Sequence, residues 1–108
     1  MQERFLMKHE KAEKPIGILT ANLDDMSFGF EENPEYDNEK PFFLRKDFAI
    51  PFEEVLKIWV LNRAPEPDYE FIECLVEKAG LKEYDAYGFF KYNKGRYISD
   101  RFYFEALD

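Results

Sequence analysis

Short alternating stretches in the first third of the chain predict β-strands. Residues 26–31 place apolar side chains at every second position, which is the period of a strand with one buried face. Residues 16–21 are apolar and partly β-branched, so we expect a second strand there, and Gly17 indicates either a bulge or the close approach of another backbone. Residues 3–10 predict a further strand at a sheet edge, and the turn-forming residues 22–25 indicate an antiparallel meander.

The middle of the chain changes to a helical period. Pro51 suits the first turn of a helix, and the apolar residues after it recur at the spacing of one helical face. They are Phe52, Val55, Leu56, Trp59 and Val60. Ile58 and Leu61 lie beside this stripe, so we expect a helix that is buried on two sides and ends near Asn62. Residues 42–50, before the helix, predict an extended segment laid across the core.

A second helix has clear signals at both ends. It opens after Pro67 with Asp68 as the candidate N-cap, and Gly80 followed by Leu81 matches a Schellman closure at its C-terminus. Apolar residues at helical spacing predict its inner face. They are Tyr69, Phe71, Ile72, Leu75, Val76 and Ala79. The aromatic residues within 83–92 predict a short third helix.

These elements together predict one α+β domain over residues 1–108. We expect a small antiparallel sheet of three to four strands, with two to three helices packed on one face. A last strand that includes residues 102–104 would rejoin the sheet after the helices. A chain of this length buries a hydrophobic core without disulfides or metals.

The net charge and the cysteine content limit the cellular compartment that we expect for the protein and the classes of molecule that it binds. The chain has 23 acidic and 15 basic residues, a net charge of -8, which disfavours direct nucleic-acid binding because that needs clustered Lys and Arg. We expect a soluble, cytoplasmic protein with no membrane partner, since no apolar run approaches the roughly 20 residues that cross a bilayer. The single cysteine, Cys74, suits a reducing compartment and predicts a buried structural residue.

The residue types do not form a catalytic constellation, and we expect neither an enzyme nor a bound cofactor or metal. His9 is the only histidine, whereas a catalytic base needs a positioned partner and a nucleophile. Zinc sites need clustered Cys and His. The acidic residues within 31–39 lack the regular spacing and the glycine turn of a calcium loop, so we interpret this segment as a solvated loop.

One polar pair is predicted to hold the fold together. Arg63 follows the first helix, and Asp100 precedes the last strand. A bidentate hydrogen bond between the two side chains would lock these segments together. Asp85 is an equal candidate as the partner of Arg63 or of Arg96.

Several segments follow the order of a known module. Residues 16–19 look like its opening strand, and residues 26–30 look like the strand that follows its meander turn. On these residues the chain resembles the small N-terminal subdomain of HipA-type kinase toxins. Residues 59–63, the helix within 67–81, and residues 95–100 look more like a variant of this subdomain, which occurs in larger bacterial proteins, some with a HIRAN domain.

The resemblance covers residues 16–104 and implies a stand-alone copy of the subdomain. The chain has no kinase lobe, no ATP-binding loop and no HIRAN domain, and residues 64–67 replace the usual proline-rich step, so kinase activity does not follow. In three-part toxin–antitoxin systems of this type, such a small protein acts as the antitoxin. It docks on the kinase where the fused subdomain would sit.

Two functional hypotheses follow. The first is a non-enzymatic protein-binding module, an antitoxin-like regulator of a kinase-type partner, with Trp59 or Tyr36 as contact residues because interfaces favour aromatic anchors. The second is an acidic inhibitor from a mobile element that blocks a basic nucleic-acid-binding protein. Its acidic residues would be Glu31, Glu32, Glu35 and Asp37. Salt sensitivity of binding separates the two hypotheses, and a homo-oligomer is compatible with both.

Overall fold

A four-stranded antiparallel sheet lies at the centre of the computed structural model, which describes residues 1–107. The strand order is β3-β2-β1-β4, with β1 (Gln2–His9), β2 (Gly17–Asn22), β3 (Ser27–Glu32) and β4 (Phe102–Ala106). Three helices separate β3 from β4 in the chain: α1 (Phe52–Leu61), α2 (Ile72–Lys78) and α3 (Ala86–Tyr92). The arrangement confirms the predicted α+β fold and the return of the last strand to the sheet.

The first strand is central in the sheet, so its expected position at an edge is wrong. Met7 lies opposite Gly17 of β2 on one side and opposite Phe104 of β4 on the other. The neighbour on the second side comes from the far end of the chain, and the local sequence of β1 carries no signal for it. Pairing with β4 gives β1 a hydrogen-bonded neighbour along both of its edges.

One face of the sheet carries the core. Phe5, Met7 and His9 of β1 are buried, whereas the alternate residues of the strand are less buried on the opposite face. The same core takes side chains from the other three strands: Leu19, Ala21, Phe28, Phe102 and Phe104. A side chain at Gly17 would collide with the carbonyl oxygen of Glu31 and with the Phe30 ring. Of the two alternatives predicted for this glycine, the structure shows the close approach of another backbone.

Helix α1 buries one face only. Val55, Leu56 and Val60 are buried in the core, but Ile58 is 53% exposed, so the expected burial on two sides is wrong. Ile58 lies on the side of the helix that faces solvent. The apolar stripe of α1 is therefore wider than the surface that the core covers.

The segment before α1 contains a short 3-10 turn at Phe42–Leu44, and the extended conformation expected there is wrong for these three residues. The turn directs Phe43 into the core, where its ring lies 5.0 Å from that of Trp59 and 5.3 Å from that of Phe30, centroid to centroid. Phe42 stays on the surface. The turn thus divides two adjacent phenylalanines between the core and the outside.

The C-terminus of α2 has the predicted Schellman closure. Gly80 has a φ of 74°, the Gly80 N–H donates to the Glu77 carbonyl at 3.0 Å, and the Leu81 N–H donates to the Val76 carbonyl at 3.0 Å. The sequence therefore located this end of the helix correctly.

The N-terminus and the inner face of α2 differ from the prediction. The helix begins at Ile72 rather than after Asp68, and Phe71 occupies the N-cap position. No residue of α2 is buried, and Tyr69 and Phe71 are exposed. The helix lies at the periphery, so its apolar spacing does not reach the core.

Helix α3 confirms the predicted third helix and buries Tyr87, Phe89 and Phe90. Its last turn runs into Lys94 and Gly95, with φ values of 56° and 65°. The Phe104 N–H of β4 donates to the Lys94 carbonyl at 2.8 Å, which joins this turn to the sheet. Within residues 1–107, no helix has the length and apolarity that crossing a membrane requires.

Candidate protein-binding groove

An apolar groove of about 390 Å³ opens on the exposed side of α1. It lies between α1, the segment that begins with the 3-10 turn, and the loop that precedes β4. Its lining residues come from all three segments: Phe42, Phe48, Ile50, Val55, Ile58, Trp59, Asn62, Arg63, Tyr97 and Asp100. The groove is thus built by the tertiary arrangement of segments that are distant in sequence.

The rim of the groove consists of large apolar side chains in contact with water: Phe42, Ile50, Ile58 and Tyr97. The Phe42 ring packs edge-on against Phe48 at 5.1 Å between centroids. The Lys46 ammonium lies over both rings, at 5.1 Å from the Phe42 centroid and 5.5 Å from that of Phe48. A cation therefore lies at one end of an apolar rim.

The floor of the groove contains the Arg63 side chain, which is 6% exposed. Its two terminal nitrogens donate to the two Asp100 carboxylate oxygens at 2.8 and 2.7 Å. Its Nε donates to the Gly95 carbonyl, and Nη2 donates to the Phe102 carbonyl at 3.2 Å. The guanidinium thus joins the end of α1 to the turn after α3 and to the start of β4.

The structure brings together Arg63 and Asp100, the pair expected from the sequence. The Asp100 carboxylate also accepts the Phe102 N–H at 3.1 Å. Asp85, the alternative partner, occupies the N-cap position of α3. Arg96 pairs with Glu10 instead. The Arg63–Asp100 pair shapes the floor of the groove. The hydrogen bonds of the two side chains are made with each other and with backbone groups of this chain.

Trp59 connects the groove to the core. The side chain is half-buried, and its ring lies 5.0 Å from Phe43 and 6.1 Å from Phe102, centroid to centroid. The Arg63 guanidinium lies 4.3 Å from the Trp59 centroid. Packing and the cation fix the indole from within, while part of the ring lines the groove. The structure therefore places this candidate contact residue where a partner can touch it.

Tyr36 is not available as an exposed contact residue, contrary to the expectation. Its side chain is 6% exposed and belongs to the core, and its hydroxyl donates to the Glu39 carbonyl. Burial, followed by the neighbouring Glu39 and Asp37 charges, raises the pKa of the phenol. Between acidic neighbours the residue looked like part of a solvated loop, but the loop folds its ring inward.

The candidate acidic residues lie outside the groove. Glu31 and Glu32 end β3, and Glu35 and Asp37 are exposed on the loop that follows. Glu32 pairs with Lys40 at 2.8 Å, and Glu35 lies 3.9 Å from Lys14. Across residues 1–107, no group of three or more His, Cys, Asp or Glu side chains is placed to hold a metal ion.

His9 forms hydrogen bonds through both of its ring nitrogens. His9 is buried, and its Nδ1 accepts the Lys11 N–H at 3.0 Å, which leaves Nε2 to donate to Glu39 at 3.0 Å. This arrangement ties β1 to the loop before the 3-10 turn.

Cys74 is exposed, so its expected burial is wrong, because α2 lies at the periphery.

Apart from the Arg63–Asp100 pair, the groove residues outside α1 are not predicted as a surface by the sequence. Phe42 and Ile50 belong to the segment predicted to lie across the core, Tyr97 carries no signal of its own, and only the tertiary structure brings the three to one surface. Ile58 carried a signal, because it lies beside the main apolar stripe of α1. An apolar residue beyond the width that one core covers indicates a second apolar surface.

Comparisons of the chain with protein-family models, with curated proteins and with solved structures found no match.

Proposed function

We propose that this protein is a non-enzymatic protein-binding module, an antitoxin-like regulator that docks on a kinase-type partner through the groove on α1. The observation that carries the proposal is the apolar groove, whose rim exposes Phe42, Ile50 and Ile58 to water. Contiguous apolar surface on a small protein marks sites where another molecule binds.

The open shape and the residue types of the groove suit a protein partner. It is open along one side of a helix and combines aromatic side chains with a Trp–Arg pair, and Trp, Tyr and Arg are the residue types enriched in interface hot spots. Because the Arg63–Asp100 pair and the core hold Trp59, the floor loses little conformational freedom when a partner binds. The chemistry favours an apolar anchor side chain with a carboxylate near Lys46.

The class of partner rests on the sequence. The resemblance to the N-terminal subdomain of HipA-type kinase toxins includes residues 59–63, which contribute to the floor of the groove. In the proposed complex, the kinase inserts an apolar side chain between Ile58 and Tyr97, and binding restrains the kinase without any chemistry by this chain.

A pair of charge-matched variants tests the proposal. Ile58→Glu puts a carboxylate in the groove at a position that is 53% exposed, and Phe71→Glu makes the same charge change at a position that is 56% exposed outside the groove. Both variants should fold. We expect the tagged wild type and Phe71→Glu to co-purify a kinase from the source cells, and Ile58→Glu to lose it.

A titration with purified components then measures the interaction directly. Isothermal titration calorimetry with the captured kinase should give an affinity at least tenfold weaker for Ile58→Glu, about 1.4 kcal/mol, and an unchanged affinity for Phe71→Glu. Equal affinities for the two variants would contradict docking in the groove. A partner set without any kinase would contradict the proposed class.

A second candidate function is supported by the charge distribution. Residues 42–63 and 96–101, which contain the groove, carry six basic and four acidic residues, whereas the rest of the chain carries nine basic and nineteen acidic ones. An acidic inhibitor of a basic nucleic-acid-binding protein would use this remainder, including Glu31 and Asp37. Its complex should weaken steeply with added salt, and Glu31→Gln with Asp37→Asn should weaken it, whereas Ile58→Glu should not.

A further inference from the structure

A recess of about 510 Å³ lies at the periphery, between α2 and residues 81–84, which lead to α3. We call it the α2 groove. Apolar side chains line it from both segments, Ile72 and Val76 from α2 and Leu81 and Tyr84 from the segment that follows. It shares no lining residue with the groove on α1, so it is a separate surface.

Packing and one hydrogen bond hold the lining of the α2 groove in place. The Tyr84 hydroxyl donates to the Pro65 carbonyl at 2.7 Å, and the Tyr84 ring packs against Phe89 at 5.6 Å between centroids. A Cβ atom at Gly88 would lie only 2.8 Å from the Leu81 side chain, so Leu81 lies directly against α3. The groove therefore exists without a partner, and little conformational freedom is lost on binding.

The chain around the α2 groove is strongly acidic. Residues 66–85 carry seven acidic and two basic side chains, a net charge of -5 within a chain of net charge -8. Within residues 1–107, the ion pairs of the structure include none of these nine side chains. The acidic charge is therefore available to a partner.

Three of these carboxylates line the apolar recess itself. Glu73 and Glu77 lie on α2, four residues apart, a spacing at which like charges repel each other. Glu83 contributes a third carboxylate from the other segment, and Lys82 offsets one of these charges. A cation placed between Glu73 and Glu77 would relieve their repulsion, so the groove favours an apolar partner that carries basic residues.

We propose that the α2 groove binds a basic amphipathic helix of a partner protein. An apolar side chain of that helix enters the recess between Val76 and Leu81, and its Lys or Arg side chains meet the carboxylates of the lining. Ile72 and Val76 lie one turn apart on α2, which matches the one-turn spacing of anchors on a helix that docks in a groove. Opposite charge around the anchor directs the encounter and excludes acidic competitors.

This proposal does not rest on the docking of a kinase in the groove on α1. It also goes beyond an acidic inhibitor, because acidic charge alone would accept any basic partner. The α2 groove requires an apolar face and a basic face on the same partner helix.

Two synthetic peptides test the chemistry of the partner. The first contains leucine and lysine, with the leucines spaced to form one face of a helix, and the second has serine in place of every leucine. Isothermal titration calorimetry with the purified wild type should show that the leucine–lysine peptide binds at least about tenfold more tightly than the serine–lysine peptide. Failure of the leucine–lysine peptide to bind, or equal affinities for the two peptides, would overturn the proposal.

Two charge-matched double variants test the location of the contact. Glu73→Gln with Glu77→Gln removes two carboxylates from the α2 groove, and Glu31→Gln with Glu35→Gln removes two from exposed positions outside it. We expect the leucine–lysine peptide to bind roughly fivefold more weakly to the first variant and as tightly as wild type to the second. Equal affinities for the two variants would contradict the proposed site.

Thermal denaturation and NMR complete the test. The Glu73→Gln and Glu77→Gln variant should be at least as stable as the wild type, because a repulsion is removed, so weaker binding does not reflect misfolding. Amide chemical shifts of the wild type should change most within residues 72–84 when the leucine–lysine peptide is added, and the largest changes outside residues 66–85 would overturn the proposal. Ile58→Glu should bind this peptide like the wild type, which separates the test from that of the proposed function.

Discussion

Arg63 shows how a single residue determines the shape of the groove. A buried cation is stable only when its donors find acceptors, and here two carboxylate oxygens and two backbone carbonyls surround the guanidinium. These acceptors belong to Gly95, Asp100 and Phe102, which lie on the turn after α3, the following loop and β4. One side chain therefore fixes the position of the loop that carries Tyr97 and Ile98.

We expect Arg63→Ala to lower the free energy of unfolding by about 3 kcal/mol, the cost of breaking a buried ion pair from one side. Arg63→Lys should recover only part of this loss, because an ammonium cannot make the bidentate contact with Asp100. Urea denaturation followed by Trp59 fluorescence measures both values.

The control for this prediction is Arg96→Ala. Arg96 pairs with Glu10 on the surface, and exposed ion pairs contribute at most about 1 kcal/mol. Similar losses for the Arg63 and Arg96 variants would show that burial of the Arg63 pair is not what stabilises the fold.

At the scale of elements, two glycines with positive φ follow helices in different surroundings. Gly80 closes α2 with a positive φ and open space around the position of a missing Cβ, whereas a Cβ at Gly95 would meet the Phe104 and Phe90 rings. The first glycine is required by backbone conformation alone. The second is required by conformation and by the packing of the turn against β4.

This difference predicts a graded response to alanine. Gly80→Ala should cost about 1 kcal/mol, the strain of a left-handed residue with a side chain, and Gly95→Ala should cost clearly more because overpacking is added. Gly29→Ala in β3, which has open space and an ordinary φ, is the control and should be neutral or slightly stabilising. Thermal denaturation of the three variants gives the ranking, and an equal cost at Gly80 and Gly95 would contradict the packing argument.

The sequence predicted where some of the secondary-structure elements lie, but not how deeply each one is buried. The period-2 alternation located β3, and the glycine signal located the end of α2, because these features depend on neighbouring residues only. The burial of each element depends on what packs against it. The sequence therefore predicted a buried inner face for α2, and the structure leaves Tyr69 and Phe71 exposed.

At the scale of the whole molecule, two buried tyrosines and one half-buried tyrosine connect stability to pH. Burial raises the pKa of Tyr36, Tyr84 and Tyr87, and the Tyr87 hydroxyl also donates to the Glu3 carboxylate at 2.5 Å. The same hydrogen bond lowers the pKa of Glu3. Its contribution to stability is present above the ordinary carboxyl pKa and is lost as the pH falls through the lowered value.

The tyrosines predict a loss of stability in alkali. Above about pH 10 the unfolded chain releases phenol protons, while the folded protein retains them, so the free energy of unfolding falls as the pH rises. Tyr87→Phe should flatten this alkaline slope, because one such phenol is removed. Urea denaturation at a series of pH values between neutral and alkaline measures the slope, and identical slopes for wild type and variant would contradict the assignment.

The sequence by itself determined the α+β class, the strand β3, the positions of α1 and α3 and the closure of α2 at Gly80, and it limited Gly17 to a bulge or a close approach of another backbone. Each of these follows from local periodicity or from a residue with special backbone freedom. It also indicated that Arg63 pairs with a carboxylate, with Asp100 and Asp85 as equal candidates, and the structure selects Asp100.

The tertiary structure decided the central position of β1, the burial of Tyr36, the exposure of Ile58 and Cys74, and the groove itself. These features depend on which distant segments meet. The pairing of β1 with β4 joins the two ends of the chain, and the groove combines α1 with residues that precede and follow it. Packing between remote segments is a property of the whole fold, so no local pattern could specify it.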